Sequence, residues 1–210
     1  MTPETIASLT TAGGTLVLAV ATFASVRSAN RASRLAERSL LAGVRPMLVH
    51  ARLDDAPQKI GFADDHWIRL EGNQAAVEET DGVLYLAMAV RNAGPGTAVI
   101  QSWAMVPETE TGFRPDPTPA EEFRQHQRDM LVPPFDVGFW QAAVRDPADA
   151  DRPLIQRAIA ERRRLSVDVL YADLYGGQRT ISRFGLLPVG EGRWLSSLSR
   201  TFPLDGTAAR

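Results

Sequence analysis

The feature that most constrains this chain is an uncharged stretch near its start, Ile6–Val26, which runs for 21 residues. At 1.5 Å of rise per residue, a helix of this length spans about 31 Å, close to the hydrocarbon thickness of a bilayer. Its eight strongly apolar residues could each contribute roughly −0.3 to −0.6 kcal/mol to insertion, whereas its threonines and glycines oppose insertion. The stretch therefore predicts a single transmembrane helix.

Two other interpretations fit this stretch less well. A cleaved signal peptide needs a basic residue ahead of its apolar core, and this chain begins Met-Thr-Pro-Glu instead. A buried core helix would normally be shorter or would carry polar residues on one face. The small residues around Gly13 and Gly14 also allow two helices to approach closely, so self-association through the transmembrane helix is a further hypothesis.

Arginines with helical spacing follow the apolar stretch. Arg27, Arg31, Arg34 and Arg38 are separated by four, three and four residues, so on a continuing helix they share one face. Cytoplasmic flanks of membrane helices are enriched in Arg and Lys, which predicts an outer N-terminus and a C-terminal domain at the cytoplasmic face of the inner or plasma membrane. Each arginine could add about 1 kcal/mol of attraction to anionic lipid. The alternative is a solvated face of a connector helix.

The chain beyond Gly43 has the alternation and turn residues of a β-rich domain. Leu84, Leu86, Met88 and Val90 fall on one face of a predicted strand, with Tyr85 and Ala87 on the other. The turns at 92–96 and at Gly176-Gly177 predict two hairpins. The predicted strands are Met47–Leu53, Leu84–Val90, Thr97–Val106, Leu165–Tyr171, Arg179–Leu187 and Trp194–Phe202.

Two short helices are also predicted, Pro119–Arg128 and Arg152–Arg163, the second with Asp149 or Asp151 as its N-cap. Short strands separated by Gly and Pro turns favour an antiparallel β-sandwich. We therefore predict a short extracytoplasmic tail (1–5), a transmembrane helix (6–26), a basic juxtamembrane helix (27–44), a β-sandwich domain with two helical insertions (45–207) and a tail (208–210).

Several of these sequence motifs resemble those of a known group of proteins. The N-terminal span, the basic helix, Arg45-Pro46 and the turn Asn92-x-Gly94-x-Gly96-x-Ala98 resemble a broad group of small bacterial membrane-anchored proteins of unknown function. Tyr171-x-Asp173-x-Tyr175-Gly176, followed by Thr180, looks like the closing hairpin of that group. The resemblance implies an immunoglobulin-like sandwich on a membrane stalk, and it implies no reaction. The segment Pro107–Pro153 is longer than the usual connection in the group.

No motif for catalysis, a cofactor or a metal is predicted. Gly94-Pro95-Gly96 lacks the third glycine and the following helix of a dinucleotide site, so it is interpreted as a turn. The acids Asp54, Asp55, Asp64 and Asp65 with His66 could bind a divalent cation, but adjacent residues of an extended chain point apart, which favours a solvated loop. His50, His66 and His126 show no paired spacing, and a G-x-S-x-G elbow is absent.

The amino-acid composition argues against several classes of function. The chain has no cysteine, which excludes disulfides, a thiol nucleophile and Cys-based metal sites, and its net charge of −2 gives no reason to expect nucleic acid. We expect a non-catalytic module that binds or scaffolds at the cytoplasmic membrane face, with lipid and another protein as partners. The alternatives are a membrane-bound hydrolase that uses the acids between Asp54 and Asp65, and an exported sensor domain.

Overall fold

The computed structural model describes residues 3–109, 112–190 and 192–205, with the backbone alone at 3–13, 17, 38, 42, 108–109 and 112–113. The chain divides into two compact units, Met1–Gly43 and Val44–Arg210.

The first unit is one continuous helix, α1 (Pro3–Ala42). A proline is well tolerated in the first turn, where its missing N–H has no helical acceptor. At the other end the amide of Gly43 donates to the carbonyl of Ser39 at 3.1 Å, and the helix ends at Ala42, two residues before the predicted boundary at 44. Arg27, Arg31 and Arg34 are exposed, and the side chain of Arg38 lies outside those described.

Large apolar side chains along α1 are open to solvent. Leu16, Leu18, Val20, Phe23 and Val26 are each at least 54 % exposed. Among the residues that the structure describes, no helix combines the length and the apolar character needed to cross a membrane. The side chains of residues 6–13 and of Val17 within the predicted span lie outside those described, and the transmembrane assignment stays a prediction.

The second unit is built from short strands and one further helix. Its helix is α2 (Arg152–Glu161), and a 3₁₀ turn covers Ala120–Glu122. The strands described are β1 (Leu48–His50), β2 (Gln58–Gly61), β3 (Trp67–Leu70), β4 (Gln74–Thr80), β5 (Val83–Asn92), β6 (Ala98–Met105), β7 (Glu108–Thr109), β8 (Gly112–Phe113), β9 (Arg124–Val132), β10 (Val137–Val144), β11 (Leu165–Ala172), β12 (Thr180–Val189) and β13 (Arg193–Pro203).

Nine of these strands form one antiparallel sheet. The hydrogen-bonded order is β1-β5-β4-β13-β12-β11-β6-β9. β1 and β4 pair with successive parts of the same edge of β5, and β10 pairs with the other edge of β5. β9 and β10 therefore lie at the two ends of the path, although only residues 133–136 join them in sequence. Because four residues cannot span an open sheet of this width, the sheet curls until its two ends are neighbours.

The core lies inside the curl. Leu84, Leu86, Met88 and Val90 of β5 are fully buried there, as the alternation predicts, and the rings of Trp103 and Trp140 meet edge to face at 5.7 Å. The other face of β5 is buried too. Tyr85, Ala87 and Ala89 form a smaller apolar cluster with the β2–β3 hairpin, whose contributions are Ile60, Phe62, Ile68 and Leu70.

The mainly antiparallel β class is confirmed, and five of the six predicted strands are present at close to their predicted bounds; the first is shortened to Leu48–His50. The 176–177 hairpin and α2 are also confirmed, with α2 ending at Glu161 and Asp151 preceding it. The pairing differs from the predicted immunoglobulin-like sandwich, because a single curled sheet replaces two facing sheets.

Two predictions are wrong. The segment Pro119–Arg128 is no helix beyond its 3₁₀ turn: residues from Arg124 onward form β9, which pairs with β6. That segment has no apolar stripe at helical spacing, so strand pairing decides its conformation. β5 and β6 do not form a hairpin either, because β4, β1 and β10 occupy the edges of β5 while β9 and β11 flank β6.

Candidate functional site

The predicted turn motif has a structural role. Asn92 is fully buried, and its Nδ2 donates to the carbonyls of Gly96 at 2.6 Å and of Val132 at 3.1 Å. Its Oδ1 accepts from the amides of Met47 and Gly94, both at 3.0 Å. One amide side chain thus joins the turn to the start of β1 and to the end of β9, and it uses all four of its hydrogen-bonding positions.

The glycines of the same motif are required by close backbone approach. A Cβ at Gly94 would overlap the carbonyl of Arg45, and one at Gly96 would overlap that of Val44. Ala98, which opens β6, is fully buried in the core. Pro46, Asn92, Gly94, Gly96 and Ala98 are all buried. The motif therefore acts as one packing unit, and of its predicted residues only Arg45 is exposed.

The acids considered as a cation site are distributed over separate ion pairs. Asp55 binds Arg91, which donates from Nε at 3.1 Å, and this bond holds the pKa of Asp55 below its usual value. Asp64 accepts from the Tyr85 hydroxyl at 2.8 Å and from Arg145 Nη2 at 3.0 Å. Burial opposes ionisation of Asp64, but these two bonds outweigh it and lower its pKa.

These ion pairs lie far apart along the sheet. Tyr85 and Arg91 are six residues apart on β5, which corresponds to about 20 Å at roughly 3.4 Å per residue. His66, two residues after Asp64, has its Nε2 at 2.8 Å from Glu78 Oε1, and its ring stacks on the Tyr85 ring with the centroids 4.0 Å apart. Within the described part of the chain, no three His, Asp or Glu side chains are grouped so that they could hold a metal ion.

A cleft of about 530 Å³ lies where the two ends of the sheet face each other. Its walls are residues 124–128 of β9 and residues 141–143 of β10. Arg145 and residues 61–63 of the β2–β3 hairpin complete the rim, and Trp103 and Met130 supply apolar surface. Below, "the seam cleft" means this set of residues.

The register of β9 explains why the seam stays open. Ile100 of β6 pairs with Met130, but Ser102, two residues on, pairs with Gln125. Four residues of β9, 126–129, therefore face the single residue Gln101, which makes a large bulge in this end strand. The bulge changes the course of β9, and no pairing between β9 and β10 is found over the described residues.

Two buried polar atoms in the seam cleft have no partner among the described residues. They are Nε2 of His126 and Oε1 of Gln141. Burial lowers the pKa of His126 to about 4, against the opposing attraction of Asp129. The imidazole is therefore neutral at pH 7. Buried polar groups are nearly always hydrogen-bonded, so both atoms are available to a ligand or to water that enters the cleft.

The charged side chains lining the seam cleft are all arginines. Arg124 is held by Asp149 at 2.8 Å and by Asp151 at 2.7 Å, and its guanidinium lies 5.2 Å from the Trp103 ring centroid. Arg145 is held by Asp64. Arg128 is exposed and makes no hydrogen bond or ion pair with the described residues. The paired acids are not among the lining residues, and the guanidinium groups are the charged groups that a ligand in the cleft would meet.

Sequence reasoning missed this site for a specific reason. The polar run from Arg124 to Arg128 carries its main residues, and the sequence predicts that this run is the end of a short helix, Pro119–Arg128. The usable signal was the strand-like position of Met130 and Val132, which face the core two residues apart. The predicted lipid-facing arginines of α1 belong to the other unit.

No family model, curated protein or solved structure matches the chain. The resemblance to small membrane-anchored bacterial proteins therefore stays a prediction.

Proposed function

We propose that this protein is a non-catalytic binding module, held at the cytoplasmic membrane face by α1, whose seam cleft recognises an anionic ligand or partner. The observation that carries the proposal is the cleft lining. It combines three arginines, no acid and two buried polar atoms without a partner among the described residues.

The membrane part of the proposal rests on the exposed apolar surface of α1. Leu16, Leu18, Val20, Phe23 and Val26 offer a band of large apolar side chains with no charge among them. Apolar surface of that extent is normally covered by lipid or protein. The arginines that begin at Arg27 favour the cytoplasmic side for the following unit, because they resist transfer across the bilayer.

The binding part of the proposal rests on how the cations are fixed. Arg124 and Arg145 are each oriented by carboxylates, so little side-chain entropy is lost when they meet an anion. Arg128 adds a cation without a fixed partner among the described residues. The neutral ring of His126 and the Gln141 amide offer polar contacts that carry no charge.

The alternative of a hydrolase using the acids between Asp54 and Asp65 is less favoured. Asp55 and Asp64 are paired with different arginines, and their partners on β5, Arg91 and Tyr85, lie about 20 Å apart along the strand, too far for the two acids to act on one bond. Neither residue lines the seam cleft.

The test is calorimetric titration of the full chain, in detergent micelles, with tripolyphosphate as a multivalent anionic probe. We expect binding that Arg128→Glu weakens about tenfold or more, since reversing one charge at a partly desolvated contact changes binding by at least about 1.4 kcal/mol. The matched control is Arg157→Glu, an exposed arginine on α2 outside the seam cleft, which should bind like the parent protein. Equal affinity of the parent and Arg128→Glu, or no binding at all, would contradict the proposal.

A further inference from the structure

The seam cleft is lined by consecutive residues on both of its walls. Residues 124–128 of β9 line it without a gap, as do residues 141–143 of β10. In the regularly paired β10, successive side chains point to opposite faces of the sheet, so a cleft on one face would meet only alternate residues. The cleft therefore runs along the edge of β10, where backbone N–H and C=O groups are directed, and faces the bulge of β9 on its other side.

The two strands that face the cleft, β9 and β10, are the terminal strands of the nine-stranded sheet. β10 pairs with β5 from Val137 to Val144, so half of its backbone groups point away from β5 and toward the seam. β9 pairs with β6 on one side and, over the described residues, has no strand partner on the other. Such edges are templates for the addition of another strand.

We propose that the partner of the seam cleft is an extended acidic peptide segment that inserts between β9 and β10 and completes the sheet. This inference rests on the proposed function, because it names the class of ligand for the same cleft. The backbone of the segment pairs with the two edges, and its carboxylates meet Arg128 and the remaining donors of Arg124 and Arg145.

The size of the opening fits this occupant. Gln141 on β10 and Arg145, directly after the end of β10, are four residues apart, which is about 14 Å at roughly 3.4 Å per residue. A segment of about five extended residues matches that length. The segment's amides are also suitable donors for Gln141 Oε1, which is buried and has no partner among the described residues.

The charges lining the seam cleft favour an acidic peptide over a basic one. No acidic side chain lines the seam cleft, and Arg128 would be opposed by a lysine on an entering strand. Cross-strand pairs of opposite charge are favourable, and like charges directly opposite each other are destabilising.

The experiment compares three end-blocked hexapeptides of alternating residues, titrated into the full chain in detergent micelles. The first alternates Glu and Val, the second alternates Lys and Val, and the third is the Glu-Val peptide with N-methyl groups on alternate amides. N-methylation removes backbone donors and leaves the charge unchanged. We expect the Glu-Val peptide to bind, the methylated peptide to lose about tenfold or more in affinity, and the Lys-Val peptide to bind only Arg128→Glu.

Each outcome decides a different point. Equal affinity of the methylated and unmethylated Glu-Val peptides would overturn strand addition and leave the anion site in place. Binding of tripolyphosphate without binding of any peptide would show a site for small anions and would also overturn the inference. Absence of binding by every anionic probe would contradict the proposed function itself.

Discussion

Arg183 on β12 donates from Nε and Nη2 to the two carboxylate oxygens of Asp168 on β11, at 2.7 and 2.8 Å, with both side chains buried. The same carboxylate accepts from the Thr118 amide at 2.9 Å and from its hydroxyl at 2.8 Å. Arg183 also donates to the carbonyls of Arg114 and Asp116. This ion pair binds residues 114–118, which precede β9, and so it helps to position the β9 wall of the seam cleft.

The variant Arg183→Met should lose about 3–5 kcal/mol of folding free energy, because it leaves Asp168 charged, buried and without its main partner. Chemical denaturation of the full chain measures the loss. The double variant Asp168→Leu/Arg183→Met should be more stable than Arg183→Met alone, since it removes both charges. A double variant that is less stable than the single one would show that Arg183 matters for packing more than for charge.

The variant Asn92→Ala should be among the most destabilising polar substitutions in the chain, by about 3 kcal/mol or more, because it leaves several buried backbone groups without partners. The melting temperature reports the loss. Asn92→Asp keeps the acceptor and removes both donors to Gly96 and Val132, so it should also be unstable. Native stability of both variants would contradict the structural role given to Asn92.

Substituting Gly96 by alanine should prevent stable folding, because the added Cβ overlaps the backbone of Val44, and moving either segment apart would break the Asn92 contacts. The matched control is Gly185→Ala on β12, where the nearest atom to the new Cβ is 3.7 Å away. Soluble expression and thermal unfolding compare the two. Similar stability of both variants would show that the turn adapts.

Stability should fall as the pH decreases from about 6.5 to 4. The pKa of His126 is about 4 in the folded protein and 6.5 in an unfolded chain, so between these values the unfolded state binds a proton that the folded state does not. Protonation therefore favours unfolding, with a contribution on the order of 2 kcal/mol. The difference in stability between the parent and His126→Gln should change over this window. A difference that is constant with pH would mean that His126 is not buried as described.

The full chain should sediment with membranes and resist extraction by alkaline carbonate, because the apolar band of α1 is covered by lipid in the proposal. Leu18→Arg/Val20→Arg should release it, since each charge at the centre of a span costs about 2.5–3.5 kcal/mol. Leu35→Arg, an exposed position on the same helix beyond Arg34, is the control and should stay with the membrane. Release of the parent protein by carbonate would contradict the anchor.

The sequence predicted the elements whose conformation depends on residues close together in the chain. The alternation in 84–90 gives both faces of β5, and Gly176-Gly177 gives the β11–β12 hairpin with the expected pairing. Helix α2 begins at Arg152 directly after Asp151, as predicted, although the Asp151 side chain makes no capping hydrogen bond. In each case the residues that determine the structure lie within one strand, one turn or one helix.

Long-range pairing could not be predicted in the same way. The motif around Asn92 looks like a hairpin turn, yet it connects two strands that pair with others, because the side chain of Asn92 binds residues 45 positions before it and 40 positions after it. The seam cleft has the same origin. It forms only because the ends of a nine-stranded sheet meet, and the bulge at 126–129 depends on a register with β6 that sequence alone does not show.

The central claim is that the seam cleft, and not the arginine face of α1, is the recognition site. Amide hydrogen exchange of the full chain in micelles, with and without saturating tripolyphosphate, tests it directly. We predict slower exchange with the anion in residues 124–130 and 141–145, and unchanged exchange around Arg27, Arg31 and Arg34. Slower exchange confined to α1, with the two edges of the cleft unaffected, would contradict the account.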